Sequence, residues 1–175
     1  MLIREERPEE AATIAEVTRA AFATLAVSQQ TEAAIVAALR AAGALTHSLV
    51  ALDSPAGAEA GKAVELVGHA AFSAVGIGAE TSGWYGLGPI SVRPDRQRQG
   101  IGGALLRDGL ARLAATGARG VVLVGDPGYY SRFGFAHPPG LTHGTVPDQY
   151  VMALVLDGGA PPVGEITFHP GFDAR

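Results

Sequence analysis

The run Val92-Arg93-Pro94-Asp95-Arg96-Gln97-Arg98-Gln99-Gly100-Ile101-Gly102-Gly103 carries residue types that can bind an anion. It joins an apolar, strand-like segment to an amphipathic, helix-like one. Glycines let backbone N–H groups approach a ligand closely, and a helix N-terminus adds partial positive charge. Arg93, Arg96 and Arg98 add full charges. Together these suit a phosphate or pyrophosphate. The same spacing also fits a surface loop leading into an ordinary helix. Two nucleotide motifs are demoted. The phosphate loop G-x-x-x-x-G-K-[ST] needs a lysine, and none stands here. The dinucleotide fingerprint starts at Gly100 and Gly102, but its third small position is Leu105, too large for close helix–strand contact.

About 30 residues further on stands Gly125-Asp126-Pro127-Gly128-Tyr129-Tyr130-Ser131-Arg132-Phe133-Gly134-Phe135. Asp126 and Pro127 suit the N-cap and first position of a short helix. The two runs together resemble the GNAT N-acetyltransferases. Gln97-x-x-Gly100-x-Gly102 after Val92-x-Pro94 is similar to that family's Q/R-x-x-G-x-G/A motif. Tyr130-x-x-x-Gly134-Phe135 is similar to its Y-x-x-x-G-F signature. Leu87-x-Pro89-Ile90-x-Val92 and the Gly125–Phe135 run look closest to a bacterial subgroup whose substrates are mostly unassigned. The resemblance covers roughly residues 1–156, and the tail over 164–172 also fits the subgroup.

The resemblance implies an α/β (α+β) fold, with a mixed, mostly antiparallel sheet flanked by helices. Its fourth and fifth strands splay apart near Pro89. It implies acetyl-CoA as co-substrate and no metal, with the pyrophosphate on the amides of Gln97, Arg98, Gln99, Gly100, Ile101, Gly102 and Gly103. Backbone groups of Ile90, Ser91 and Val92 would meet pantetheine, and Tyr130 and Phe133 complete the cofactor set. An N–H near Ile90 would stabilise the tetrahedral oxyanion. The implied mechanism is direct attack by an amine on the thioester, and the chain's lack of cysteine fits it.

Tyr130 then stands as the general acid for the departing thiolate, with an ordinary pKa of about 10 against about 8.5 for a thiol. Packing of the short helix is the alternative role for Tyr130. The strands over 84–92 and 120–125 offer no carboxylate or histidine as base. His69 on the preceding strand is the best side-chain candidate. Glu80 is a weaker one, and a water chain along backbone carbonyls is equally open.

The expected acceptor is a primary amine of a small molecule or peptide. It would be read by residues 22–30, Trp84, Tyr85 and residues 137–150, although Trp84 and Tyr85 equally suit core packing. A CoA-binding regulatory module without turnover is the competing expectation. A homodimer through the strand over 165–169 is another open expectation. His137, His143 and His169 lack ligand-like spacing.

The elements that position these residues follow from periodicity. A short edge strand over 2–6 precedes a helix opened by Pro8, with Ile14, Val17, Ala21, Phe22 and Leu25 on one face. Thr31 can cap a second helix that stops at Gly43. Strands over 48–52 and 65–75 flank a turn-rich loop beginning with residues 53–57. A strand over 84–92, a helix over 100–116 and a strand over 120–125 form a right-handed parallel crossover. Late strands lie over 150–156 and 165–169.

With 175 residues and a charge of −4 at pH 7, the chain suits one domain over 1–175, with a core over 1–156 and an extension over 157–175. The acidic balance argues against bulk nucleic-acid binding. A charge at the fourth residue and the absence of any long apolar run predict no signal peptide and no membrane span, hence a cytoplasmic protein.

Overall fold

The computed structural model describes residues 1–23, 25, 28–54 and 64–175. Strand β1 (Leu2–Glu5) leads through a 3-10 turn at Pro8–Glu10 into helix α1 (Ala11–Phe22), and helix α2 (Glu32–Ala41) follows. Next come β2 (Leu45–Asp53), β3 (Glu65–Ala74), the short β4 (Gly76–Ile77) and β5 (Trp84–Val92). Helix α3 (Ile101–Ala115) is followed by β6 (Gly120–Val124) and the single turn α4 (Pro127–Tyr130). The chain ends with β7 (Leu141–Thr142), β8 (Val151–Val155) and β9 (Gly164–Thr167). The larger sheet has the order β1-β2-β3-β5-β6-β8, and β4-β9-β7 form a second. β1–β2 and β6–β8 pair antiparallel, while β5–β6, joined through α3, pair parallel as the crossover predicts. The fold is therefore mixed α/β, with a mostly antiparallel sheet and flanking helices.

The chain forms two compact units. The first contains residues 1–71, 89–109 and 170–175, the second residues 72–88 and 110–169. In the first unit, Ile14, Val17 and Val36 of the two N-terminal helices pack on Val50, Leu52 and Leu66 of the strands. Thr31 does not cap α2: its side chain makes no cap bond, and Ser28 Oγ instead donates to Glu32 Oε1 at 2.6 Å. In the second unit, Trp84, Val75, Ile77, Val122, Leu141, Val151 and Ile166 form an apolar core. Trp84 is 1% exposed, so it is core and lines no acceptor pocket. Strand β9 pairs with β4 on one edge and β7 on the other. Each of these pairings covers two residues, Ile166 and Thr167 with β4 and Gly164 and Glu165 with β7.

Strand β5 departs from regular geometry. Arg93 N–H bonds Val67 C=O, and Val75 N–H bonds Trp84 C=O. From Trp84 to Arg93 the chain takes nine steps, and from Val67 to Val75 it takes eight. β5 therefore holds one residue more than the β3 segment opposite it, which defines a bulge. Burial places the bulge: Trp84 and Gly86 are buried before it, Leu87, Pro89 and Ser91 after it. The alternation changes phase between Gly86 and Leu87. Pairing with β6 covers Trp84, Tyr85 and Gly86 and goes no further.

Candidate active site

The bulge decides which backbone groups of β5 are available. In an antiparallel ladder, successive residues present N–H and C=O to opposite edges. Arg93 bonds β3, so Ser91 also faces β3, and Ile90 and Val92 face the other edge. That edge has no β6 partner in the pairing register past Gly86. Ile90 N–H and Val92 N–H thus point away from the ladder. Val92 C=O is already engaged, because Gln97 Nε2 donates to it at 3.1 Å.

The loop that follows is built from braced side chains around an exposed backbone. Arg98 and Gly100 adopt left-handed conformations, with φ of 61° and 83°. For a non-glycine residue that conformation is uncommon and is concentrated at functional turns. Gln99 accepts from Arg96 Nε at 3.2 Å and donates to Asp95 C=O at 3.3 Å. Ala104 N–H bonds Gly100 C=O at 2.9 Å and so begins the intrahelical ladder. The N–H groups of Ile101, Gly102 and Gly103 precede that bond and belong to the unpaired first turn. Their partial positive charge is what an anion would meet.

The arginines divide differently from the expectation. Arg93 bonds Glu65 and Asp95, both at 2.7 Å, and these carboxylates push its guanidinium well above its ordinary pKa. Arg96 is buried and ion-paired to Asp53. Two of the three charges are therefore spent on the protein's own carboxylates, Arg93 at the surface and Arg96 beneath it. Arg98, exposed on the loop, is the one without a carboxylate partner among the described residues. Arg96 fixes the loop to the end of β2, a role that an arginine in a basic run does not announce.

Gly68 on β3 sets how closely α3 can approach. A Cβ there would lie 3.1 Å from Leu105, 3.1 Å from Ser91 C=O and 3.2 Å from Ile101. The signal was visible as a glycine inside an apolar strand run, which marks close approach of another element.

His69 is fully buried on β3. Its Nε2 lies 2.8 Å from Ser48 Oγ and 3.7 Å from the Glu6 carboxylate. Glu6 is in turn held by Arg40 at 2.6 and 2.7 Å. Burial pushes the His69 imidazole below its ordinary value, against the pull of Glu6. Burial alone would raise the Glu6 carboxyl, yet the Arg40 guanidinium, the nearby His69 imidazole and the Ser48 hydroxyl hold it well below the carboxylate range.

In the second unit, Asp126 accepts from Gly128 N–H at 2.8 Å and caps α4, as expected. Tyr130 ends α4. Its ring packs edge-on against Tyr129 at 4.9 Å and against buried Phe135 at 6.0 Å. A Cβ on residue 125 would lie 2.4 Å from the Tyr130 ring, so glycine there makes the space the ring occupies. Burial, aided by Tyr129, pushes the phenol up to about 12. Tyr130 therefore keeps its proton throughout the physiological range. Phe133 stacks with Tyr129 at 5.5 Å, and the Arg132 guanidinium lies 4.0 Å over the Tyr129 ring.

Glu80 is bound by Arg119 at 2.5 Å and by the Trp84 indole N–H at 3.0 Å. The Arg119 bond lowers its carboxyl, which makes it a poorer base than its loop position suggested. His137 and His143 hydrogen-bond the carbonyls of Val151 and Ile166 and brace strands. Among the described residues no group of three or more acidic or histidine side chains could hold a metal, and no helix is long and apolar enough to cross a membrane. Of the acceptor-side stretch over 22–30, residues 24, 26 and 27 lie outside the described residues, as do residues 55–57 of the turn-rich loop.

Residues 45–137 match the model of the acetyltransferase (GNAT) domain. The uncharacterized N-acetyltransferase YhbS of Escherichia coli strain K12 is 38% identical over 77% of this chain and 73% of its own. A GNAT-family acetyltransferase from Brucella melitensis, solved with acetyl-CoA, is 50% identical, with a TM-score of 0.81 over 98% of this chain and 97% of that one. The structure of E. coli YhbS with CoA is 31% identical, with a TM-score of 0.83 over 98% and 91% of the two chains. An aminoglycoside 6'-N-acetyltransferase shares the fold at 16% identity and a TM-score of 0.64. The chain belongs to the GNAT acetyltransferase family.

Proposed function

We propose that the protein transfers the acetyl group of acetyl-CoA directly to a primary amine of a small molecule or peptide. One observation carries this above the others. Between Ile90 and Gly103 a single stretch of chain offers outward N–H groups on a bulged strand edge and then the unpaired first turn of α3. A strand edge suits the amides of a pantetheine arm, and a helix N-terminus suits a pyrophosphate. The relatives solved with acetyl-CoA and CoA, at 50% and 31% identity, support the same ligand. We take residues 1–175 as one acetyltransferase domain, since both relatives align with 98% of the chain.

On this basis the N–H groups of Ile90 and Val92 hold pantetheine, while the backbone of Ser91, expected to join them, is turned to β3 instead; Gln97 to Gly103 hold the pyrophosphate. Tyr130 and Phe133 complete the cofactor contacts. Ile90 N–H is the oxyanion donor: a fixed dipole aimed where negative charge develops lowers the barrier more than it stabilises the substrate. The role assigned to Tyr130 is that of a protonated donor to the leaving sulfur. With its phenol near 12 against about 8.5 for a thiol, complete proton transfer to free thiolate is uphill. Its contribution is a hydrogen bond that strengthens as charge grows on sulfur.

The test is calorimetric titration with acetyl-CoA and CoA, with NAD as the control, followed by thiol release from acetyl-CoA across a panel of primary amines. Micromolar binding of both CoA species, no NAD binding, and amine-dependent thiol release are expected. Binding without turnover for any amine would replace the enzyme by a CoA-binding regulatory module. Absence of CoA binding would defeat both.

A further inference from the structure

A row of buried polar groups crosses the first unit. Thr18, Ser48, His69 and Ser91 are 0%, 5%, 0% and 3% exposed. Ser48 Oγ donates to Glu6 Oε2 at 2.5 Å and lies 2.8 Å from His69 Nε2. At the other end, Thr18 Oγ1 and Ser91 Oγ are 3.2 Å apart. Since Arg93 pairs with Val67 across the β3–β5 ladder, two residues back Ser91 stands opposite His69. The row runs from the end of β1, through β2 and β3, to β5 beside Ile90 and Val92.

Proton counting fixes the state of the histidine. An ionised carboxylate only accepts, so the single Ser48 proton goes to Glu6. Ser48 must then accept from His69, which places a proton on Nε2 and leaves Nδ1 bare. Nδ1 is buried without a hydrogen-bond partner among the described residues. A buried bare acceptor is costly unless a donor reaches it at some stage. Across the strand, Thr18 and Ser91 hold two hydroxyl protons for one mutual bond, so one remains to be given. The charged groups acting on His69 are Glu6, after β1, and Arg40, on α2. Ser48, Ser91 and Thr18 add neutral hydroxyls from β2, β5 and α1.

We propose that His69 Nδ1 receives the proton shed by the attacking nucleophile, relayed through the Ser91 hydroxyl, with Ser48 and Glu6 orienting the imidazole and stabilising its cation. This rests on the acetyltransferase reading above and gives it the proton acceptor that β5 and β6 lack. The nucleophile, an amine or water, bonds to the thioester carbon as the C–S bond breaks. Its proton passes to Ser91 Oγ, and the Ser91 hydroxyl, turned from Thr18 toward His69, passes its own proton to Nδ1. The sulfur leaves as thiolate hydrogen-bonded by Tyr130 and takes a proton from solvent, while His69 returns its own to solvent by the same route. An amine and a thioester thus yield an amide and a thiol.

Two measurements test this. Nitrogen-15 NMR of the wild-type imidazoles should show His69 neutral, protonated on Nε2 and bare on Nδ1 at neutral pH. A proton on Nδ1, or a cation, would overturn the relay without any assay. Thiol release from acetyl-CoA with water as acceptor should then be followed from about pH 5.5 to about pH 9. His69→Gln is expected to lower kcat at least about tenfold near neutrality, to abolish the acid limb and to leave the KM for acetyl-CoA unchanged. Ser91→Ala, a smaller change, should lower kcat with the same loss of pH dependence. Variants that keep the wild-type pH profile, even at reduced rate, would make the row structural. A wild type that binds acetyl-CoA but releases no thiol would also sink the relay. One that does not bind acetyl-CoA fails at the underlying function instead.

Discussion

The two compact units differ in what they bury. Among the described residues the first holds Thr18, Ser48, His69, Ser91 and Arg96 as buried polar side chains, while the second holds Ser73 alone. The second unit is built on an apolar core, with the Tyr130 phenol half-buried against Phe135. The first threads hydrogen bonds and charge through its interior and presents backbone, exposed over 97–100, along the stretch 97–103 where anion binding is proposed. Buried polar groups demand satisfied partners and are costly when one is removed. The first unit should therefore respond to pH and to loss of single partners. The second should respond to volume and to loss of one hydroxyl.

The largest effect expected is on the phenol. Tyr130→Phe should lower kcat by about 10²-fold or more while acetyl-CoA affinity, measured by calorimetry, stays within about twofold. Gly125→Ala sharpens the point, because it keeps the hydroxyl but drives a methyl group into the Tyr130 ring. It should reproduce much of the loss in kcat. Full activity in Gly125→Ala would show that the ring position does not matter. The loop should behave in the opposite way. Gly102→Asp places a carboxylate where a phosphate would sit and should weaken acetyl-CoA binding by about 10²-fold, at about 1.4 kcal/mol per factor of ten. Gln97→Ala and Arg98→Ala should cost less than about tenfold, since neither removes an N–H. If Arg98→Ala matches Gly102→Asp, the loop binds through its side chain and the contrast with Tyr130 is lost.

Packing separates the units on another axis. Leu141 is fully buried in the apolar core of the second unit. Leu141→Ala should cost about 2–5 kcal/mol in denaturant unfolding, through lost transfer energy and the cavity left behind. That loss should not vary with pH, because no titratable group belongs to the cluster. A pH-dependent loss would mean that the two units do not divide polar from apolar burial in this way.

What the sequence disclosed follows the same division. The two motifs were legible because close backbone approach and a capped turn each require particular residue types, glycine in one case and Asp126-Pro127 in the other. Strand β5 was legible with its bounds, and α3 to within a residue at each end. Its bulge was signalled by Gly86, Gly88 and Pro89, although only the ladder shows which N–H groups it frees. The short strands β4 and β7 were not legible, since two residues carry no periodicity. The pairing of Arg93 with Glu65 and of Arg96 with Asp53 was hidden as well. Partners 28 and 43 residues apart in sequence are brought together only by the fold. Gly125 and Gly68 look like punctuation in sequence and act as clearances in space.

The smallest expected effect is the most specific to the first unit. His69 is held below its ordinary pKa of about 6.5 by burial, so below that pH the unfolded chain binds a proton that the folded chain refuses. Stability must then fall as pH drops from about 6.5 toward the folded-state value, at up to about 1.4 kcal/mol per pH unit. Glu6 adds a second loss at lower pH. Its carboxyl is held below the usual range by Arg40, His69 and Ser48, so its stabilisation is complete above about pH 4.3 and declines as the pH falls further. Thermal or urea unfolding measured between about pH 2 and pH 8 should therefore show two successive declines toward acid. His69→Gln should flatten the first and leave the second. Glu6→Gln should remove the second and lower stability near neutrality, because Arg40 is left without its carboxylate. A wild-type curve that is flat through pH 6 would show that His69 takes up its proton in the folded state as readily as in the unfolded one, and the buried polar row would then be more open to water than its exposure indicates.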